Sequence, residues 1–265
     1  MGLTRAEIEI GGSDTYSGVS TSRTLMLAEL SALLAATPPD ATRDDYRGAV
    51  VAENVLLKPS AGTRAKTYSY LRDRFALDPA VPIFCLLRLL WDRDPAGRAT
   101  MTLFVAALRD PVLRATVPAL LALQPDQPVS APEFAAVIAD AFPDKLNDIT
   151  LKATAERLMS TYAQSGHLAG SAGRRARRRV TATPGGTTVA LLLATLGGAG
   201  GKALLDTNWV RLLDAPDERV LAEARVAAER GWLEYRHAGD VLEITFRRLL
   251  ATVGGDAEHG PGGDR

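Results

Sequence analysis

From Thr21 to about Leu123, apolar residues recur at helical spacing and are punctuated by helix breakers. Leu27, Leu30 and Leu34 mark one helix, which must stop before Pro38 and Pro39; Tyr46, Val50 and Val51 mark a second that ends near Asn54. A third follows Ser60, a fitting N-cap after Pro59, and puts Ala65, Tyr68, Leu71, Arg72 and Phe75 on one stripe. The same spacing predicts helices at 81–91, 98–109 and 112–123, parted by DRDPAG and by Asp110-Pro111. Nothing here alternates as a strand would. Residues 1–125 are therefore expected to form a helical N-terminal domain, with QPDQPVSAP as a linker, because three prolines in nine residues stop helix propagation.

The pattern then changes. Ala131 to Phe142 predicts a helix, Pro143 to Ile149 a turn, and Thr150 to Gln164 a second helix with Leu151, Ala155, Leu158 and Tyr162 on one face. Gly166 ends it, and HLAGS, a run of arginines and VTATP follow. Helix, turn, helix, short strand, basic loop, short strand is the order of a winged helix-turn-helix, in which the helix before the hairpin faces nucleic acid. A similar ending recurs: Asp214 is an N-cap candidate, Val220 to Arg230 a helix, Gly231 its stop, and Trp232 to Arg236 and Val241 to Arg247 flank the turn HAGD. Leu233 and Tyr235 can meet Leu242, Ile244 and Phe246 across that hairpin.

The expected fold class is mainly α: a helical N-terminal domain followed by winged helix-turn-helix-like units with short β-hairpins. The units are assigned to residues 126–186 and 187–253, and the Gly-rich end, 254–265, to a disordered tail.

Composition adds limits rather than a function. The 265 residues include 31 Lys plus Arg and 31 Asp plus Glu, so the chain is neutral as a whole. That total conceals an asymmetry. Residues 143–183 hold 8 basic and 3 acidic residues, whereas 214–265 hold 7 and 11. Arg174, Arg175, Arg177, Arg178 and Arg179 crowd into six positions, and no acid lies between Glu156 and Asp206. A guanidinium donates two parallel hydrogen bonds to phosphate and keeps its charge, so the run suits nucleic-acid contact; a solvated loop and an acidic protein or lipid surface are the alternatives. On the preceding helix, Lys152, Thr154, Arg157, Ser160, Thr161 and Gln164 are expected to lie away from the apolar stripe, where they could reach phosphates or base edges. Lys58, Arg64, Lys66, Arg72 and Arg74 form a second basic cluster, open to either a binding or a salt-bridged structural role.

A single cysteine, Cys85, excludes an internal disulfide and sits in an apolar helical stretch as a small buried hydrophobe. The longest apolar runs fall well short of the roughly 20 residues that span a bilayer, and the N-terminus has no signal-peptide core, so a cytoplasmic protein without a membrane partner is expected. Enzyme signals are few. GGAGGKAL lacks the first glycine and the hydroxyl of a phosphate-binding loop, since Leu196 and Ala203 stand there; it reads as a flexible connector. His167, His237 and His259 are isolated, and no metal-ligand or nucleophile motif is present.

The stretch YSGVSTSRTLMLAEL, and above all ENVLLKPSAGTRAKTYSYLRDRF, resembles the N-terminal region of the BrxA family, small proteins of BREX phage-defence systems. The resemblance is carried by Glu53-Asn54, Leu56, Ser60, Thr63, Lys66, Leu71, Arg72, Arg74 and Phe75. It implies a mainly α-helical, non-catalytic DNA-binding component, without cofactor or small-molecule substrate, of a system that also contains a methyltransferase, an ATPase and a phosphatase-like protein. The family has also been likened to the RNA-binding antitermination factor NusB, and some members carried an inner-membrane label, which the missing span disfavours. On this reading Lys152 to Gln164 approach a groove of duplex DNA and Arg174 to Arg179 grip its backbone. A scaffold for other BREX proteins and an RNA-binding antitermination-like factor are the alternatives.

Overall fold

A computed structural model describes residues 2–239 and 241–254; the predicted tail lies outside them from residue 255 onward. The described residues are mainly helical, with two small antiparallel sheets. No helix among the described residues is long and apolar enough to cross a membrane.

The N-terminal part contains α1 (Arg5–Glu9), α2 (Val19–Ser22), α3 (Leu27–Ala36), α4 (Arg43–Val51), α5 (Ala61–Phe75), α6 (Pro82–Trp91), α7 (Arg98–Arg109) and α8 (Pro111–Ala122). Six of these follow the predicted boundaries closely because caps and prolines fix their ends. Thr42 and Asp45 form a capping box at α4, Ser60 accepts from the Thr63 amide at α5, and Asp110 accepts from the Val112 and Leu113 amides at α8, where Pro111 needs no donor. The short α1 and α2 went unpredicted.

Next come β1 (Pro128–Val129), α9 (Ala131–Ala141), α10 (Asp148–Gln164), β2 (Leu168–Ala169) and β3 (Arg175–Arg177). The expected linker therefore contains a strand, and β3 lies between β1 and β2 in a three-stranded antiparallel sheet. The chain continues as α11 (Pro184–Leu196), a 3-10 turn (Gly201–Leu204), α12 (Asn208–Arg211), α13 (Asp217–Glu229), β4 (Glu234–Ala238), β5 (Val241–Thr245) and α14 (Arg247–Gly254). The glycine-rich stretch is thus a built turn set against β5, with Leu204 buried, rather than a flexible connector.

The order of elements repeats. Helix, strand, helix, helix, hairpin in the first copy becomes helix, 3-10 turn, helix, helix, hairpin in the second, and the 3-10 turn flanks β5 as β1 flanks β3. The helix before each hairpin, α10 or α13, ends at a glycine with positive φ, Gly166 (86°) or Gly231 (74°). A buried ring and a buried leucine follow in each case: His167 and Leu168, then Trp232 and Leu233.

One hydrophobic cluster runs from Ile10 to Val253 and draws on both the N-terminal helices and the two later units. Its centre is the pair α7 and α11, in which Thr100–Leu108 and Gly185–Ala194 are all buried. A helix that is apolar on all sides belongs inside a protein, and other helices surround this pair. At the N-terminus of α11 the Gly185 amide donates to Asp94 Oδ2 at 2.7 Å, and a Cβ there would stand 2.6 Å from the same oxygen. Gly185→Ala is expected to cost about 1–3 kcal/mol, as overpacking does; an unchanged urea midpoint would contradict so close a contact.

Two carboxylates act as long-range fasteners. Asp110, besides capping α8, accepts from Ser20 Oγ at 2.5 Å and stands 3.7 Å from the fully buried Arg74. Glu234 on β4 accepts from the Arg247 and Arg248 amides and so caps α14 from outside the helix, an element the sequence pattern missed. Desolvation is the largest single effect on the Glu234 carboxyl and raises its pKa, but these hydrogen bonds, one from Thr245 Oγ1 and the charge of Arg248 together hold it below its ordinary value.

Candidate nucleic-acid interface

The arginine run was expected to form a basic loop at a hairpin tip. The tip is instead Gly170 to Arg174: Gly170 (φ 108°) passes so close to the Arg174 carbonyl that no Cβ fits, and the Arg174 amide donates to the Ser171 carbonyl at 3.0 Å. Only Arg174 projects there, exposed to solvent. Arg175 to Arg177 form β3, in which residues two apart share a face, so Arg175 and Arg177 are turned the same way and are not free to project from a loop.

Arg175 turns back onto α10 and donates to Ser160 Oγ at 2.9 Å. Arg177 is buried, with 4% of its side chain exposed; it pairs with Asp214 and donates to the His167 carbonyl at 3.2 Å. It is a structural residue, and the expectation that it grips a backbone is corrected. Asp214 (φ 52°), expected to cap α13, instead accepts from Arg177 and from the Val180 amide, and the N-cap position is held by Pro216. Arg178 meets Asp126 at 2.7 Å, but both side chains are mostly exposed, a pairing worth little in water. Arg179 is exposed and has no carboxylate partner among the described residues.

On α10 the buried arc is wider than one stripe, because the helix packs against α9 on one side and α2 on another. Thr154 and Thr161, expected on the polar face, are fully buried. Thr154 satisfies its hydroxyl with the Thr150 carbonyl at 2.7 Å, the local bond that lets threonine enter a core; the Thr161 hydroxyl has no partner. Gln164 is exposed but occupied. Its amide donates to Thr24 Oγ1 at 2.8 Å and accepts from the Leu27 amide at 3.2 Å, supplying the N-terminus of α3 with the cap that Met26 cannot provide. Lys152 is exposed and Arg157 half-exposed, so these two keep the outward position expected of them.

The second basic cluster is largely committed to the fold. Lys58 pairs with Glu29 at 3.3 Å, and its backbone N–H and C=O are both bound by the Asn54 side chain. Arg64 reaches the Ala52 carbonyl at 3.4 Å, Arg72 pairs with Asp73 at 2.9 Å, and Arg74 is inside. Of the three proposed contacts, Lys66 stays exposed without such a partner among the described residues.

The surface left for an anion is Lys152 and Arg157 on α10, Arg174 at the hairpin tip, and Arg178 and Arg179 beyond β3. Two further cations join it that sequence reasoning did not select. Lys145 lies exposed in the α9–α10 turn, and Arg211 on α12 is brought to the hairpin's far end by the Arg177–Asp214 pair and by a 2.9 Å hydrogen bond between His167 Nε2 and the Leu212 carbonyl. Nothing local marks Arg211, since the arginines it joins, Arg177 and Arg179, come from 32 or more positions away. Burial pushes the His167 pKa down, so the imidazole is neutral in this bridge. No protein-family model matches the chain, and comparison with curated proteins finds no match.

Proposed function

We propose that this protein is a non-catalytic, duplex-DNA-binding component of a BREX-type phage-defence system, acting beside other proteins of that system and holding DNA mainly by its phosphates. The order and pairing of α8, β1, α9, α10, β2 and β3 support a winged helix-turn-helix reading, with α10 toward a groove and the β2–β3 hairpin as the wing. The repeated ending supports a second such unit formed by α11 to β5.

The observation that carries the proposal is the set Lys152, Arg157, Arg174 and Arg179. These cations stand on or beside the helix and hairpin in question, Lys152, Arg174 and Arg179 exposed and Arg157 half-exposed, and have no carboxylate partner among the described residues. Glu156, exposed among them, disfavours a base-reading helix and favours backbone contact. Non-specific binding of this kind gives a Kd of about 10⁻⁴ to 10⁻⁶ M at physiological salt.

The test is fluorescence anisotropy with a labelled duplex, comparing the parent with Lys152→Ala/Arg174→Ala/Arg179→Ala. Arg177 and Arg175 are left in place because the fold uses them. The variant is expected to keep the parent's melting temperature and to lose most of its duplex affinity. Equal affinity would reject the interface, and stronger binding to RNA than to duplex DNA would favour the antitermination-like alternative.

A further inference from the structure

Beyond β3 the Arg-rich run enters a cleft of about 430 Å³ between the first hairpin and the α12–α13 connection. Leu123, Pro125 and Pro216 supply apolar walls, and Arg177, Arg179 and Arg211 supply three positive charges against the single carboxylate of Asp214. That carboxylate is already engaged: one oxygen meets Arg177 and the other accepts from the Val180 amide at 3.2 Å. Arg179 and Arg211 therefore remain uncompensated. Arg177, buried at the cleft, also keeps an Nε without a hydrogen-bond partner.

Two guanidinium groups left uncompensated on one cleft suit an anion, which would balance their charge. The apolar walls suit a sugar or base attached to it. We infer that this cleft is a phosphate-ester site for one nucleotide unit, with Arg179 and Arg211 as its principal ligands and Leu123, Pro125 and Pro216 receiving the unit's apolar part.

The site deepens the DNA-binding reading and rests on it for the source of the phosphate. At about 3.3 Å per residue, up to roughly 16 Å of chain separates Arg179 from Arg174 at the tip. The two arginines thus contact different phosphates, and the cleft adds a contact that the wing does not make.

The test uses Arg211→Ala, which alters an exposed residue outside the hairpin, and Arg211→Lys, which keeps the charge. Duplex binding is measured by anisotropy over a salt series, and the melting temperature is measured with and without AMP. If the phosphate is that of the backbone, Arg211→Ala binds more weakly and its log K against log salt slope falls by about 0.9, one phosphate's worth, while Arg211→Lys keeps the slope. If it is that of a free nucleotide, AMP raises the melting temperature of the parent and not of Arg211→Ala. A variant matching the parent in both assays overturns the cleft site. A parent that binds no duplex defeats the DNA reading, and the AMP response alone then decides the cleft.

Discussion

Asp110→Ala is expected to be among the most damaging single substitutions in the protein, lowering its stability by about 3–5 kcal/mol through the buried ion pair alone. Arg74 is fully buried and Asp110 is 5% exposed, so removal of the carboxylate leaves a guanidinium charge in the core with no counter-charge. Burial already pushes the Arg74 pKa down, opposed only by Asp110. The same change removes the cap of α8, worth about 1 kcal/mol, and the bond that fastens Ser20 and with it α2. For a chain of this size each kcal/mol moves the melting temperature by roughly 2–4 °C, so calorimetry should show a fall of about 10 °C or more. Adding Arg74→Met, which takes the stranded charge away, is expected to recover part of the loss. A single variant melting within 2 °C of the parent would mean that the buried pair is not formed.

The second large effect is expected at Asp214. Its partner Arg177 is buried, the two link the first hairpin to the second unit, and Asp214→Ala strands the charge at a cost of about 3–5 kcal/mol. The residue also has a left-handed backbone (φ 52°), which alanine adopts at a penalty of about 1–2 kcal/mol and asparagine far more readily. Asp214→Asn is therefore expected to fall between parent and Asp214→Ala in urea denaturation. Equal midpoints for all three would reject the fastening role. A variant lacking all five arginines would confound lost contact with lost structure, because Arg177 belongs to this pair.

Much of the fold was legible where local chemistry sets an element's ends. Pro38, Ser60, Asp110-Pro111 and Gly166 act on their immediate neighbours, and the helices around them appear where the pattern put them. The central helix α11 did not show itself, because a helix buried on every side has no polar face and hence no helical period; its Pro-Gly-Gly start reads as a turn. Thr154 and Thr161 misled because a threonine's class says nothing of how many partners its helix has, and α2, which covers part of α10, was itself unrecognised.

The candidate site was legible as composition and not as geometry. The arginine run marks the right region, yet β3 divides it into outward and inward members, which only strand pairing could reveal. Asp214 lies 37 positions from Arg177 and carries local signs of a helix cap, so its true partner could not be read from spacing. The resemblance at Glu53 to Phe75 falls mostly on residues that close the Asn54–Lys58 loop, cap α5 or fill the core, which accounts for its pattern without requiring contact with a ligand there.

The central claim is that Lys152, Arg174 and Arg179 hold phosphates, and the salt dependence of duplex binding tests it most directly. Each neutralised phosphate contributes about 0.9 to the slope of log K against log salt, so the triple alanine variant should show a slope shallower than the parent's by about 2.7. A slope unchanged within error, in a variant that melts where the parent does, would contradict the claim.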